Sequence, residues 1–234
     1  PLYQIVLRAN GGRGLRRALP VIDNIGVLST GKAFTGAYSD HLLEDAWTFG
    51  GNATFYLPFG ASDDTYLSFD YFGTRFAEQM VVDYEHGLNA IEFYALGGKR
   101  SYSNNYQVDF NVEAFRRFTV SATFRYTDAM VELEGRGLVE RPMTSRYKGV
   151  LNLQYATNLN KWIFDFTASV NGKSRVYEFM KGLRGDDGEL LYKDGYTPVY
   201  PLLYLQVTKR FKGVDLYLGA ENLTNFRQKN LVIG

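Results

Sequence analysis

The chain has 234 residues, with 26 basic and 25 acidic side chains, a formal net charge of +1 and no cysteine. A near-neutral charge without a long basic run argues against nucleic acid as a partner, and the lack of cysteine excludes disulfides, thiolate zinc sites and cysteine nucleophiles. Aromatic residues make up 16% of the sequence, which favours strands with rings on one face and polar side chains on the other.

Strict alternation of apolar and polar residues marks the predicted strands, because successive side chains of a strand point to opposite faces. In the clearest case, residues 106–114, the even positions are apolar and the odd positions, such as Asp109 and Asn111, are polar. In chain order the alternating segments are residues 47–57, 67–71, 106–114, 118–126, 147–155, 162–170, 203–207 and 214–220. We therefore predict an all-β chain with about nine or ten antiparallel strands.

The connections between these strands alternate between short and long. Short turns are predicted at residues 59–64, 114–117, 158–161 and 211–213. Long polar excursions are predicted at residues 9–46, 134–146 and 171–197, with a shorter one near 85–89. An up-and-down transmembrane β-barrel has short turns on one side of an outer membrane and long loops on the other. A soluble sandwich has no reason to place every long loop at one end, so the pattern favours the barrel.

Charged residues inside the predicted strands fit the polar interior of such a barrel, whereas in a sandwich core each would need a partner. They are Asp109, Glu113, Arg125, Asp165 and Arg210. A count of nine strands would leave an open edge, because bacterial barrels normally close with an even number of strands, and the sequence stops at residues 233–234, where another excursion begins. We therefore expect this chain to be part of a larger barrel.

Four segments of the sequence carry a resemblance that spans nearly the whole chain. The segment QVTKRFKGVDLYLGAENLTNFRQK, residues 206–229, places a five-residue box after a strand, at Glu221, Asn222, Leu223, Thr224 and Asn225. The other three are GGRGLRRALPVIDNIGVLSTGK (11–32), EDAWTFGGNATF (44–55) and DYFGTRFAEQMVVDYE (70–85). Together they resemble the C-terminal half of the barrel in TonB-dependent outer-membrane receptors, in the iron-chelate and vitamin branch of that family.

The resemblance implies a 22-stranded barrel around a globular plug, and active import of a scarce nutrient, an iron chelate, a vitamin or a similar molecule. The inner-membrane TonB complex drives such import by pulling on a box of the plug. Plug, TonB box and last strand are absent from this sequence, so residues 1–234 are expected to be the C-terminal barrel portion of a receptor. The implied location is the outer membrane of a Gram-negative bacterium.

The same resemblance implies the partners. They are outer-membrane lipid, the plug and remaining strands of the parent receptor, the TonB complex acting through that plug, and the small-molecule nutrient. No cofactor and no nucleic acid are expected.

Arginines and tyrosines in the predicted excursions are candidate ligand contacts. Three arginines in a glycine-rich segment are placed to meet an anionic ligand such as a ferric chelate, although the segment lacks the lysine and helix of a phosphate-binding loop. The competing interpretation is an irregular loop pinned by arginine to wall carboxylates. Three tyrosines in the 171–197 excursion either contact a ligand or pack the loop. The candidates are Arg13, Arg16, Arg17, Tyr177, Tyr192 and Tyr196.

No catalytic or metal site is predicted. The segment GDDGELLYKDG (185–195) does not have the ligand spacing of an EF-hand, and its two Asp-Gly pairs favour a hairpin. His41 and His86 have no nucleophile box beside them, so we do not expect an enzyme. Two alternatives stay open: a self-contained small outer-membrane barrel acting as a porin or lipid-active enzyme, and a soluble β-rich binding module.

Overall fold

The structure is a computed structural model that describes residues 4–26, 31–36, 41–85, 87, 89–185 and 187–227. His86 and residues 233–234, both mentioned above, lie outside the described residues. Among the described residues, no helix is long and apolar enough to cross a membrane.

Nearly all of the regular structure is β-strand, which confirms the predicted all-β class. A one-turn helix, α1 (Pro20–Asp23), follows the first strand, and single 3-10 turns lie at Asn158–Asn160, Glu178–Met180 and Lys193–Gly195. The strands are β1 (Ile5–Arg17), β2 (Ala33–Thr35), β3 (Leu43–Tyr56), β4 (Tyr66–Glu78), β5 (Met80–Asp83), β6 (Ala90–Ala95), β7 (Ser101–Phe115), β8 (Phe118–Leu133), β9 (Gly137–Glu140), β10 (Tyr147–Ala156), β11 (Trp162–Asn171), β12 (Tyr200–Arg210) and β13 (Asp215–Ala220).

One large sheet, which we call the wall, contains most of these strands. Its order is β1-β3-β4-β7-β8-β10-β11-β12-β13, and β9 pairs with β8 as a tenth member. Every pairing in the wall is antiparallel. The predicted count of nine or ten antiparallel strands in up-and-down order is therefore confirmed. Within the described residues the wall is open, with β1 and β13 at its two edges.

The register of the wall brings the apolar positions of all its strands onto one side, the apolar face. Phe110 lies opposite Ala122, and Ala122 opposite Leu151, so the alternation of each strand continues into the next. Phe49, Tyr71, Tyr106 and Tyr126 form a ladder of rings with centroid separations of 6.0, 5.0 and 6.4 Å. The apolar face is not covered by a second sheet among the described residues, and Phe124 is 49% exposed. This exposure contradicts a sandwich.

The opposite side of the wall, the polar face, carries hydrogen bonds between side chains of neighbouring strands. Thr123 Oγ1 donates to Asp109 Oδ1 at 2.6 Å, and Ser121 Oγ donates to Asn111 Oδ1 at 2.7 Å. The amide of Gln154 donates to Asp165 at 2.7 Å. Strand carboxylates such as these therefore have partners on adjacent strands, which lowers the free-energy cost of placing them there.

The connections sort by length onto the two ends of the wall, as predicted. Residues 57–65, 116–117, 157–161 and 211–214 form the short-turn end, and residues 18–42, 79–100, 134–146 and 172–199 form the long-excursion end. The predicted excursion 9–46 is wrong in its bounds, because β1 continues to Arg17 and β3 already begins at Leu43. The excursion expected near 85–89 is longer and contains β5 and β6.

A second, small sheet lies at the long-excursion end. Its order is β2-β6-β5, with β2 parallel and β5 antiparallel to β6. It packs on the polar face of the wall, because Val131 and Leu133 extend β8 on that face and form a buried cluster with Val81, Tyr94 and Leu96. We call the four excursions at this end, which contain this sheet and α1, the cap; it shares the short strand β9 with the wall.

The cap holds the three buried hydrophobic clusters of the described chain. Besides the one at Val131, a second surrounds Ile91 and Phe93 of β6, and a third joins Val176, Met180 and Tyr192. In the segment 185–195, Gly185 N–H donates to Glu189 O at 2.9 Å, next to an antiparallel bridge between Arg184 and Leu190. A tight reverse turn therefore forms at the first Asp-Gly pair, while the second ends a 3-10 turn. Asp186 lies outside the described residues.

Candidate functional site

Five charged side chains tie the excursions of the cap together. The guanidinium of Arg175 donates to both carboxylate oxygens of Glu85, at 2.9 and 2.8 Å, across 90 positions of sequence. Arg136 donates to Glu85 at 3.0 Å and also to Asp83. The side chain of Glu178 contacts Arg175 at 3.4 Å, and its backbone N–H donates to Glu85 at 2.7 Å. We call this group the charge cluster.

Burial and ion pairing together set the ionisation of the groups in and beside this cluster. Burial alone would raise the pKa of Glu85, but hydrogen bonds from Arg175 and from the Glu178 N–H, with the charges of Arg175 and Arg136, hold it below its ordinary value. Burial, the neighbouring Tyr84 and Glu85 raise the pKa of Tyr177 to about 12. At neutral pH, Glu85 is therefore ionised and Tyr177 is neutral. The cluster holds two arginines and three carboxyl groups, and Lys181 binds the third of these, Glu178, at 2.6 Å.

A cavity of about 360 Å³ lies on the polar face beside the charge cluster, and its lining includes Glu44, Tyr84, Arg141 and Tyr177. The guanidinium of Arg141 lies 6.0 Å from the ring centre of Phe76. Burial lowers the pKa of Arg141, against the raising influence of Glu44. No described residue forms a hydrogen bond or ion pair with this guanidinium. Arg141 was not identified from the sequence, because a single arginine in a polar excursion gives no distinguishing pattern.

The three predicted arginines lie in β1 and not in an irregular loop. Arg13 donates to both carboxylate oxygens of Asp45, at 2.8 and 2.6 Å, and lies 5.7 Å from the ring centre of Trp47. The alternation of the strand places Arg13 and Arg17 on the side of the apolar face, and Arg16 on the polar face. The three side chains therefore do not converge on one ligand position.

Of these arginines, Arg16 lines the cavity of about 360 Å³. It is bound to Glu44 at 2.7 Å and to Asp23 at 3.0 Å. The expected pinning of arginine to wall carboxylates is present here, although in a regular strand. A role of these arginines in binding a ligand stays a prediction.

The three predicted tyrosines occupy different environments in the cap. Tyr177 lines the cavity and lies against Tyr84, with ring centres 5.7 Å apart. Tyr192 is 4% exposed and packs inside the third buried cluster. The hydroxyl of Tyr196 donates to Glu140 at 2.9 Å. Tyr192 packs the excursion and also lines a second cavity, described below, and Tyr177 borders the first, so the ligand role of these residues stays a prediction.

The five-residue box follows a strand, as expected, because β13 ends at Ala220. Asn222 clamps the chain beyond it: its side-chain oxygen accepts from the Phe226 N–H and its amide donates to the Phe226 carbonyl, both at 2.9 Å. Phe226 in turn stacks on Tyr200, with ring centres 4.6 Å apart and planes 10° from parallel. Thr224 Oγ1 donates to the carbonyl of Pro201 at 3.1 Å. These contacts fold the box back onto β12.

A second cavity, of about 700 Å³, lies between this folded box and the excursion 172–199. Strand β10 contributes Lys148 to its lining, β11 contributes Asn171, and the segment after β13 contributes Asn225 and Arg227. Lys148, Asn171 and Tyr200 belong to the polar face by their register. Both cavities therefore lie on the polar side of the wall at its long-excursion end.

Comparison with known proteins places this fold. No protein-family model and no curated protein matches the chain. Among solved structures, a mutant of the ferric enterobactin receptor (PfeA) of Pseudomonas aeruginosa matches with a TM-score of 0.63 and 14% identity, over 95% of this chain and 33% of that one. A second mutant of this receptor matches with a TM-score of 0.61 and 14% identity, over 94% and 33% of the two chains.

A third match is the same receptor in complex with BCV-L6, with a TM-score of 0.61 and 15% identity, over 94% of this chain and 33% of that one. The chain thus spans about a third of the length of the receptor chains it matches. The matched proteins are named as receptors and not as enzymes. At this identity the likeness establishes the fold, and the fold of this chain is that of part of a TonB-dependent receptor barrel.

Proposed function

We propose that this chain is part of the barrel wall of an outer-membrane receptor that imports a scarce nutrient, such as an iron chelate or a vitamin, with energy from TonB. The observation that carries the proposal is the two-sided wall: an uncovered apolar face and a hydrogen-bonded polar face, with every long excursion at one end. Lipid is the environment that suits the first face, and a water-filled or plugged bore suits the second.

The open edges of the wall support a larger parent barrel. Strands β1 and β13 each have one neighbour among the described residues, and unpaired edges seek further strands. The likeness to about a third of each ferric enterobactin receptor chain agrees in scale with this proposal. In the proposed arrangement the remaining strands and a plug complete the receptor, TonB acts through that plug, and the outer membrane of a Gram-negative bacterium surrounds the wall.

The assignment of the faces can be tested by cysteine labelling, because this chain has no cysteine of its own. Phe124→Cys places a thiol on the apolar face, and Thr123→Cys places one on the polar face of the same strand. In the full-length protein in lipid vesicles, a lipid-soluble reagent should label the first and a membrane-impermeant maleimide the second. Equal reaction of both thiols with the impermeant reagent would overturn the assignment to a membrane wall.

The transport function is tested in cells. The full-length protein is produced in a Gram-negative host, and uptake of labelled iron chelates and vitamins is measured in otherwise identical cells with and without TonB. We expect uptake of at least one compound that is lost without TonB. Uptake that continues in the absence of TonB would favour a porin, and lipid hydrolysis by the purified protein would favour an enzyme.

A further inference from the structure

Two cations lie side by side on the polar face near the long-excursion end. Arg125 of β8 and Lys148 of β10 are direct cross-strand partners in the register. Arg125 Nε donates to the neutral amide oxygen of Gln107 at 3.0 Å, and neither cation forms an ion pair with a described residue. Like charges directly opposite each other destabilise a sheet, so this pair is unfavourable unless an anion lies nearby.

The cavity of about 700 Å³ adjoins this pair and is itself positively charged. Lys148 and Arg227 line it, and no aspartate or glutamate is among the described residues of its lining. The cavity of about 360 Å³ is different, because Glu44, Asp83 and Glu85 border it and bind arginines. The two cavities therefore differ in charge: the cavity of about 700 Å³ is lined by cations without carboxylates, whereas the cavity of about 360 Å³ is bordered by carboxylates paired with arginines.

The position of Arg227 follows from the folded box. The clamp of Asn222 on Phe226 and the stacking of Phe226 on Tyr200 hold the chain immediately before Arg227 against β12. Lys148 comes from the start of β10, a separate element that also lines the cavity. The two charges thus approach one space from separate elements, as a site for a shared anion requires.

Neutral hydrogen-bond donors complete the lining. Asn171, Ser174 and Asn225 border the cavity, and none of their side chains makes a hydrogen bond to another described residue. Amide and hydroxyl groups together with arginine and lysine are the donors that proteins use for phosphate oxygens.

We propose that this cavity binds the doubly charged phosphate group of a small ligand that enters from the long-excursion end. The lining holds two cations, and a third lies directly beside one of them. This positive charge matches a phosphate group of charge −2 better than it matches a single carboxylate of charge −1. The inference deepens the proposed function, and it depends on that function only for the side from which the ligand enters.

The test is an equilibrium titration of the full-length protein in detergent micelles by isothermal calorimetry, with inorganic phosphate, glucose 6-phosphate and glucose as probes. We expect both phosphates to bind, glucose not to bind, and the affinity for phosphate to fall as salt rises. Lys148→Gln and Arg227→Gln should each raise the dissociation constant about tenfold. Lys148→Arg should restore binding, and Lys161→Gln, at the short-turn end, should change nothing.

Heat-modifiable electrophoretic mobility checks that each variant is folded, and Arg227→Gln, outside the strands, keeps the test valid where Lys148→Gln does not fold. Absence of phosphate binding, equal binding of glucose, or unchanged binding in both glutamine variants would overturn the proposal. The titration needs no TonB. If the protein binds phosphate but shows no TonB-dependent uptake, this site is supported and the proposed function is wrong. If it shows TonB-dependent uptake but binds no phosphate, the proposed function is supported and this site is wrong.

Discussion

The wall and the cap are held together in different ways. In the cap, Phe93 and Val176 are 1% and 0% exposed, inside clusters that resemble the core of a small water-soluble domain. In the wall, backbone pairing is continuous from β1 to β13, yet rings such as Phe164, 41% exposed, remain open. The cap therefore supplies its own apolar surroundings, whereas the wall depends on surroundings outside the described chain.

The two regions also treat charge in opposite ways. The cap buries the carboxylates of Glu85 and Asp83 and neutralises them with Arg136 and Arg175. The apolar face of the wall instead carries rings and aliphatic side chains along most of each strand. The cap should consequently be most sensitive to the loss of one charge, and the apolar face to the gain of one.

The largest effect is expected for Arg175→Ala. Glu85, 2% exposed, would keep its charge and lose its main partner, at a cost of about 3–5 kcal/mol in the stability of the cap. Hydrogen exchange of residues 79–100 and 172–199 measures this local stability. Arg184→Ala is the matched control, because Arg184 donates to the carbonyl of Gly188 and forms no ion pair among the described residues. Equal protection in the two variants would contradict the role of the cluster.

Phe110→Arg tests the wall. Phe110 lies near the middle of the paired segments of β7, β8 and β10, so an arginine there should cost about 2–4 kcal/mol of folding free energy in lipid. The neighbouring Asn111→Arg faces the polar side and should lose only the hydrogen bonds with Ser121 and the Asp64 carbonyl. Refolding into lipid vesicles under urea measures both. An equal loss of folding free energy in the two variants would contradict the assignment of an apolar and a polar face.

Acidification should weaken the cap by less than Arg175→Ala does, because a protonated Glu85 still accepts hydrogen bonds. The pKa of Glu85 is held below its ordinary value of 4.5, so its contribution is fully present above that value and is lost as the pH falls through the lower folded pKa. Hydrogen exchange of residues 79–100, corrected for its intrinsic pH dependence, should stay constant from pH 7 to about 5 and accelerate below. Glu85→Gln should abolish this step, and a step above pH 6 would point to another group.

The smallest effect is expected for the folded box. Asn222→Ala removes the two hydrogen bonds to Phe226 and places alanine at a φ of 51°, which should cost about 1–2 kcal/mol. Asn222→Gly accepts this φ and loses only the hydrogen bonds. Protease cleavage within residues 221–227 should therefore be fastest for alanine, intermediate for glycine and slowest for the unchanged protein. Equal cleavage of all three would show that the stacking of Phe226 on Tyr200 suffices.

The wall could be predicted from the sequence because its strands are long and their alternation is local. Residues 106–114 and 118–126 show the two-residue period without exception, and the structure pairs them directly. The first strand was the exception. Gly11, Gly12 and Gly14 have no side chain to show the alternation, so the sequence predicts an excursion at the end of β1 although this strand pairs with β3 as far as Arg17.

The cap could not be predicted because its contacts join distant parts of the chain. Strand β2 has three residues and pairs with β6, whose first paired residue is Ala90. Glu85 and Arg175 are 90 positions apart, and a single charge in a polar excursion does not identify its partner. The sequence indicated charged excursions, and only the fold brings Arg141, Tyr177 and Glu44 to one cavity.

The register of the wall has a consequence for how such a chain can change in length. Inserting one residue near the start of β10 would exchange the faces of every later position in that strand. Leu153 and Tyr155 would then point to the polar face of the wall. An insertion between Asp187 and Glu189, which lie in an exposed turn, would alter only that connection. Homologous genes should therefore differ freely in the lengths of their excursions while their strands gain or lose residues in pairs, so that differences in length accumulate at the long-excursion end of the wall.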